Sequence, residues 1–212
     1  MWGLPHQHHH SERTIMKPRL TTRDLVSIAI FAVIFFVVFY ACGMIGLAGP
    51  AFMFVGWILG ILLGGIVLML SVARVPKIGT MTITGLLVGL GMSPGHTIWM
   101  IPAGIVLGFL SDLIITKAGR STRLTTSRAM LGYAVFVLWM IVPLIPMLVN
   151  ADEYYAMITE QMGADYSNKM RELFTPGLVA GRAVIVFLLG LAGGWLGIKV
   201  GRKHFQRAGL TK

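Results

Sequence analysis

Cysteine occurs once in the 212 residues, at Cys42, so neither a disulfide framework nor a thiolate metal cluster can form within one chain. Acidic residues are scarce too: eight Asp and Glu stand against 18 Lys and Arg, and charged residues of both signs make up only 12% of the chain. A soluble fold of this size has no way to hide the apolar surface that remains. Also missing is any Gly-x4-Gly-Lys-Ser/Thr loop to cradle nucleotide phosphates. The apolar stretches lack the carboxylate or His series that relays protons or binds sodium. The sequence therefore carries no engine of its own for uphill transport. What fills it is 56% hydrophobic residues gathered into long runs, which reads as an all-α, polytopic membrane protein.

Six apolar stretches are predicted, at 25–43, 51–73, 81–91, 98–115, 130–149 and 178–198. Five are of spanning length. The third is short, a thin or interrupted helix that its neighbours must shelter, and Gly85, Gly89, Gly91 and Ser93 suit close burial there.

Lys and Arg accumulate on the cytoplasmic side of membrane proteins, so the connections fix an expected orientation. Arg13, Lys17, Arg19 and Arg23 precede the first stretch, Arg74 and Lys77 fill the second connection, and Lys117, Arg120, Arg123 and Arg128 the fourth. Lys199, Arg202, Lys203, Arg207 and Lys212 follow the last stretch. The first and third connections carry no charge, and the fifth holds Asp152, Glu153, Glu160, Asp165 and Glu172 against Lys169 and Arg171. Six helices with both termini cytoplasmic is the count that agrees. The net charge of +10 then reports topology and attraction to anionic lipid, with nucleic acid excluded as a partner.

The first fifteen residues are polar, so no cleavable signal peptide is expected. Residues 1–19 read as a His-rich cytoplasmic tail without packed structure, 20–205 as the membrane domain and 206–212 as a basic cytoplasmic tail. The His6–His10 run has the composition of a metal-binding tract. An interrupted tag, or a variable tail before a second start at Met16, is the favoured alternative.

The third connection reads Gly91-Met92-Ser93-Pro94-Gly95-His96-Thr97-Ile98-Trp99, and its Gly-x-Ser-x-Gly matches the hydrolase elbow pattern. No strand precedes Ser93, and His96 lies only three residues away on the same short loop, so a nucleophile, base and orienting group cannot be assembled. A glycine-rich turn is the preferred reading, and no catalytic residue, cofactor or metal site is expected. His96 and Trp99 suit either a ligand site or, for Trp99, an interfacial anchor.

Two ionisable residues fall inside the stretches. Arg182 enters the sixth by about one turn, where a guanidinium is costly unless paired or wetted, and it is the leading ligand candidate. Snorkelling, or pairing with the acidic fifth connection, is its alternative. Asp112 is expected to form a structural ion pair with Lys117 or Arg74. The fifth connection, 150–176, places Tyr154, Tyr155, Met157, Ile158 and Met162 at helical spacing, which predicts an amphipathic outer helix, either a lid or an interfacial segment. Met92, His96, Trp99, Trp139, Tyr154, Tyr155 and Arg182 gather toward the outer half as the candidate ligand site.

Several segments carry a family resemblance: Leu20-Thr21-Thr22-Arg23-Asp24-Leu25, Gly95-His96, Gly108-Phe109-Leu110-Ser111-Asp112-Leu113-Ile114, and Leu131-Gly132-Tyr133-Ala134-Val135-Phe136 with Trp139-Met140. Gly193-Gly194, Gly197, Lys203-His204-Phe205 and Ala208-Gly209 complete it. From Met16 onward the chain resembles the substrate-binding S components of energy-coupling factor (ECF) transporters, and within them the MptD or Trep_Strep family. The resemblance implies a six-helix bundle in a prokaryotic cytoplasmic membrane that captures a vitamin-like or metal-containing nutrient at its outer face. His96 and Met92 suit haem or another flat metal-bearing ring, and Arg182 suits a carboxylate. It also implies partners, a transmembrane T subunit and two ATPases, docked through small residues of helix one. Ser27, Ala29 and Ala32 are the candidates, although the Ala-x-x-x-Ala spacing is broken by Val33. A stand-alone channel or facilitator is the second expectation, and an intramembrane serine hydrolase the third.

Overall fold

The computed structural model describes residues 19–121 and 123–207, and these are helical with no strand among them. The His6–His10 run, most of the 1–19 tail and the end of the 206–212 tail lie outside the described residues.

Helix α1 (Thr22–Gly43) opens on a capping box in which Thr21 Oγ1 accepts from the Asp24 amide and the Asp24 carboxylate accepts from the Thr21 amide. Lys77 Nζ, from the second connection, lies 2.7 Å from the same carboxylate. A 3-10 turn at Met44–Ala48 leads to α2 (Phe52–Arg74), followed by α3 (Thr80–Met92) and α4 (Met100–Thr116). Among the described residues four segments are long and apolar enough to cross a membrane: Thr22–Ala48, Phe52–Arg74, Thr126–Val149 and Pro176–Arg202. Helix α4 is apolar but shorter, and α3 has only 13 residues, as its brief apolar run foretells.

Glycine decides which helices touch. A Cβ at Gly85 of α3 or Gly104 of α4 would collide with the other's backbone carbonyl, and Gly89 and Gly108 meet the same pair of helices just as closely. Without a hydrophobic drive in lipid, such backbone proximity is what binds two helices. Asp112 completes the α3–α4 pair. Its carboxylate accepts from the amides of Gly79, Met81 and Thr82 and from the Thr82 hydroxyl, at 2.7–3.0 Å. The expected ion pair with Lys117 or Arg74 is therefore corrected: Asp112 caps the N-terminus of α3 from a neighbouring helix. The first turn of α3 supplies the unpaired N–H groups and positive dipole end that a carboxylate needs there.

The fifth apolar stretch is not one regular helix. Helix α5 (Thr126–Phe136) passes into a 3-10 segment, Val137–Leu144, and then α6 (Ile145–Val149). Pro143 and Pro146 lack the N–H that α-helical pairing requires, and the chain adopts tighter pairing before them.

The expected single amphipathic outer helix is two: α7 (Ala151–Met162) and α8 (Ala164–Leu173), broken at Gly163, whose φ of +89° favours glycine. Both lie over the bundle end. Tyr166 donates to the Gly46 carbonyl at 3.0 Å, and the Phe174 ring stacks on Phe54 at 5.6 Å. The last helix, α9 (Pro176–Arg207), packs on α2 where Gly193 and Gly197 meet Gly65 backbone to backbone.

Candidate functional site

The tight α2–α9 contact sets the positions of two side chains further along the same helices. Trp57 lies near the start of α2 and Arg182 near the start of α9, and the Arg182 guanidinium carbon sits 3.1 Å from the centre of the Trp57 ring. Stacking of this kind favours a cation over an aromatic face. Around this pair lies a cavity of about 250 Å³, walled by Phe39 and Tyr40 of α1, Met92 at the end of α3, Trp139 and Met140 of the 3-10 segment, and His96. Tyr154 of α7 and Met170 of α8 cover it from above.

Its polar groups are few and mostly unpaired. Arg182 is 5% exposed, and its Nε and Nη1 have no hydrogen-bond partner among the described residues. Trp139 is 4% exposed, and its indole N–H is likewise unpaired. Burying such donors without an acceptor costs on the order of 1–3 kcal/mol each, and more for charged groups. Arg182 neither snorkels nor pairs with the acidic connection, whose Asp152 and Asp165 face Arg171 and Lys169 instead.

A wider recess of about 640 Å³ leads outward from this cavity, between the 44–48 turn and the inner face of α7 and α8. His96, Tyr154, Met170 and Met53 line both spaces and mark the junction. Surrounding protein holds the His96 imidazole below its usual pKa, with a bond to the Met92 carbonyl pulling weakly the other way. Burial, with Tyr155 and Tyr166 close by, pushes the Tyr154 hydroxyl up to about 12. Tyr154 thus remains a neutral donor across the physiological range.

Beneath the cavity the described residues pack an aromatic layer. Phe35 packs between Phe39 and Phe136, and both Phe35 and Phe136 are fully buried. Tyr133, equally buried, donates to the Ile61 carbonyl at 2.6 Å. The cavity therefore ends blindly on an aromatic floor.

Five of the seven candidates, Met92, His96, Trp139, Tyr154 and Arg182, converge on this cavity. Trp99 does not: it is 67% exposed and borders a separate apolar groove with Pro102, Val106 and Val149. Tyr155 is buried among Leu144, Met147 and Phe174 with Arg171 over its ring. Consecutive helical residues point about 100° apart, so only one of the two tyrosines can face the cavity. The sequence reading missed Trp57, Phe39, Met53, Met140 and Met170.

Ser93 donates to the Leu90 carbonyl at 3.2 Å, a local helix-end bond. Among the described residues no three His, Cys, Asp or Glu side chains converge to hold a metal ion. On α1, Ala32 is 1% exposed and turned into the core beside Ile28 and Phe35, while Ser27 accepts from Arg74 Nε at 3.3 Å. Ser27, Ala29 and Ala32 are therefore not gathered on one outward face.

No curated protein and no solved structure matches the chain. A family model described as a hypothetical bacterial integral membrane protein, Trep_Strep, matches residues 22–207, nearly all of the membrane domain. The bundle, its blind cavity and its glycine-bound helices are thus those of a bacterial multi-pass integral membrane protein, and the chain belongs to the Trep_Strep family.

Proposed function

We propose that this protein is the substrate-binding S subunit of an ECF-type importer in the bacterial cytoplasmic membrane. It captures a small nutrient from outside and passes it on with a T subunit and two ATPases. On this reading α1, α2, α3, α4, the α5–α6 segment and α9 are the six spans, both termini are cytoplasmic, and α7 and α8 lie outside. The blind cavity carries the reading: a conduit needs a continuous path, and Phe35, Phe136 and Tyr133 fill the bundle beneath the ligand space. The clustering of Arg74, Lys77 and Arg202 with Asp24 and Thr126 at the other end agrees with a cytoplasmic side there. Binding, not catalysis, is the role assigned to the cavity, and the Ser93 bond to Leu90 supports that.

The test is isolation of the chain from native membranes, with its associated proteins identified, beside flux measurements on the chain alone in liposomes. A T subunit and ATPases in stoichiometric amounts, with no flux from the chain alone, are expected. Solute flux through the purified chain without any ATPase overturns the proposal in favour of a facilitator. Of the three docking candidates Ala29 is half-exposed and Ser27 is engaged by Arg74, and Ala29→Trp should abolish ATP-dependent uptake while leaving ligand binding intact.

A further inference from the structure

We propose that the cavity takes a small aromatic monocarboxylate, its carboxylate held by Arg182 and Trp139 and its ring by the surrounding thioethers and aromatic rings. This rests on the capture reading above and narrows its substrate.

The charge of the ligand follows from the balance within the cavity. Among the described residues Arg182 is the single charged residue lining it, and the guanidinium offers unpaired donors that only an acceptor can satisfy. A carboxylate supplies acceptor oxygens and one negative charge, and it forms the stronger class of charge-assisted hydrogen bond. A phosphate monoester brings about −1.5 to −2 charges at neutral pH, more than one cation balances. A second cation would face Arg182 at close range with nothing between them. The Trp139 indole N–H, unpaired and also in the cavity lining, provides one further donor, so an acceptor-rich group is favoured over a hydroxyl or amine. Glu153, the carboxylate that lines the outer recess, is already engaged by the Asn150 side-chain amide and lies at the rim.

The body of the ligand follows from the rest of the lining. Met44, Met53, Met92, Met140 and Met170 surround the space, with Phe39, Trp139 and Tyr154 among them. Thioethers adapt to irregular shapes and make favourable contacts with the edges of aromatic rings. Aromatic walls accept a flat ring in offset or edge-on geometry. Trp57 already has one face covered by Arg182 and packs T-shaped against Phe174, so the ring is expected nearer Trp139 and Met140 than Trp57.

The experiment measures binding of four naphthalene probes to the purified chain in lipid nanodiscs, by calorimetry: 2-naphthoate, 2-naphthyl phosphate, the neutral 2-naphthamide and the cationic 2-naphthylmethylamine. The expected order places 2-naphthoate first, tighter than the amide by roughly 10- to 100-fold, the range for a hydrogen-bonded charge. In Arg182→Met that preference should collapse to within about threefold while the thermal unfolding midpoint stays at or above the wild-type value, which shows that the cavity is still folded. Equal binding of amide and carboxylate, or a carboxylate preference that survives in Arg182→Met, overturns the inference and leaves capture by the cavity standing. Tighter binding of the phosphate or the amine overturns it as well. Failure of all four probes to bind overturns the aromatic-carboxylate assignment, and the capture reading is then decided separately by the association and flux measurements.

Discussion

Asp112 and Arg182 are both ionisable, both almost fully buried and both carried on apolar helices, yet their surroundings are opposite. Asp112, 1% exposed, accepts four hydrogen bonds from the first turn of α3 and its approach. Arg182, 5% exposed, has an aromatic ring on one face and unpaired donors elsewhere. A buried charge persists either because the fold satisfies it or because something outside the fold does. Asp112 belongs to the first kind and is part of the architecture. Arg182 belongs to the second and marks a place for a ligand.

Substitutions can break this contrast. Asp112→Ala should produce the largest effect, a loss of about 3 kcal/mol or more of stability, because several buried amides lose their acceptor at once. Thermal unfolding in detergent or nanodiscs measures it, and a near-wild-type midpoint would show that α3 does not depend on the cap. Arg182→Met should do the reverse. Replacing an unpaired buried charge with an apolar side chain of similar length is expected to leave stability unchanged or raise it by up to about 2 kcal/mol. A clear fall in the unfolding midpoint would place Arg182 in the architecture beside Asp112.

Smaller changes sharpen the comparison. Trp139→Phe keeps most of the ring and removes the unpaired N–H, so carboxylate affinity should fall by about fivefold, the worth of one hydrogen bond of about 1 kcal/mol, with little change in the unfolding midpoint. The smallest effect concerns pH. Because its surroundings hold His96 below its usual pKa of about 6.5, the folded state resists a proton that the unfolded chain accepts. Its contribution to stability is complete above about pH 6.5 and is lost as the pH falls through the folded value. The unfolding midpoint of the wild type should therefore drop more between pH 7 and pH 5 than that of His96→Gln. Equal drops would mean that His96 is as freely hydrated as in the unfolded chain.

The helices were legible because apolar runs and charge clusters are large-scale signals, and 25–43 and 51–73 lie inside α1 and at the bounds of α2 to within about a residue. Arg182 was legible because a cation in an apolar run stands out. Trp57 and Met140 were not, since an apolar residue in an apolar stretch offers no contrast, and only folding tells a lining residue from a lipid-facing one. The role of Asp112 required knowing that α4 runs beside the start of α3. Gly79 at that start, with no side chain to cap the helix itself, was the available sign. Pro143 and Pro146 are the visible signs of an irregular fifth stretch, against an unbroken apolar run that by itself predicts one helix.

That irregular stretch has a consequence for reach. Eight residues in 3-10 form, Val137–Leu144, extend about 16 Å at ~2.0 Å each, whereas an α-helix of the same residues would cover about 12 Å. The difference of roughly 4 Å is close to one residue's worth of fully extended chain. It carries α6 and the hinge into α7 that much further from the aromatic floor, and so helps set the headroom between Phe136 and Tyr154. Proline at 143 and 146 keeps the segment from relaxing into the shorter form, which makes the cavity's depth a property of the backbone rather than of the side chains that line it.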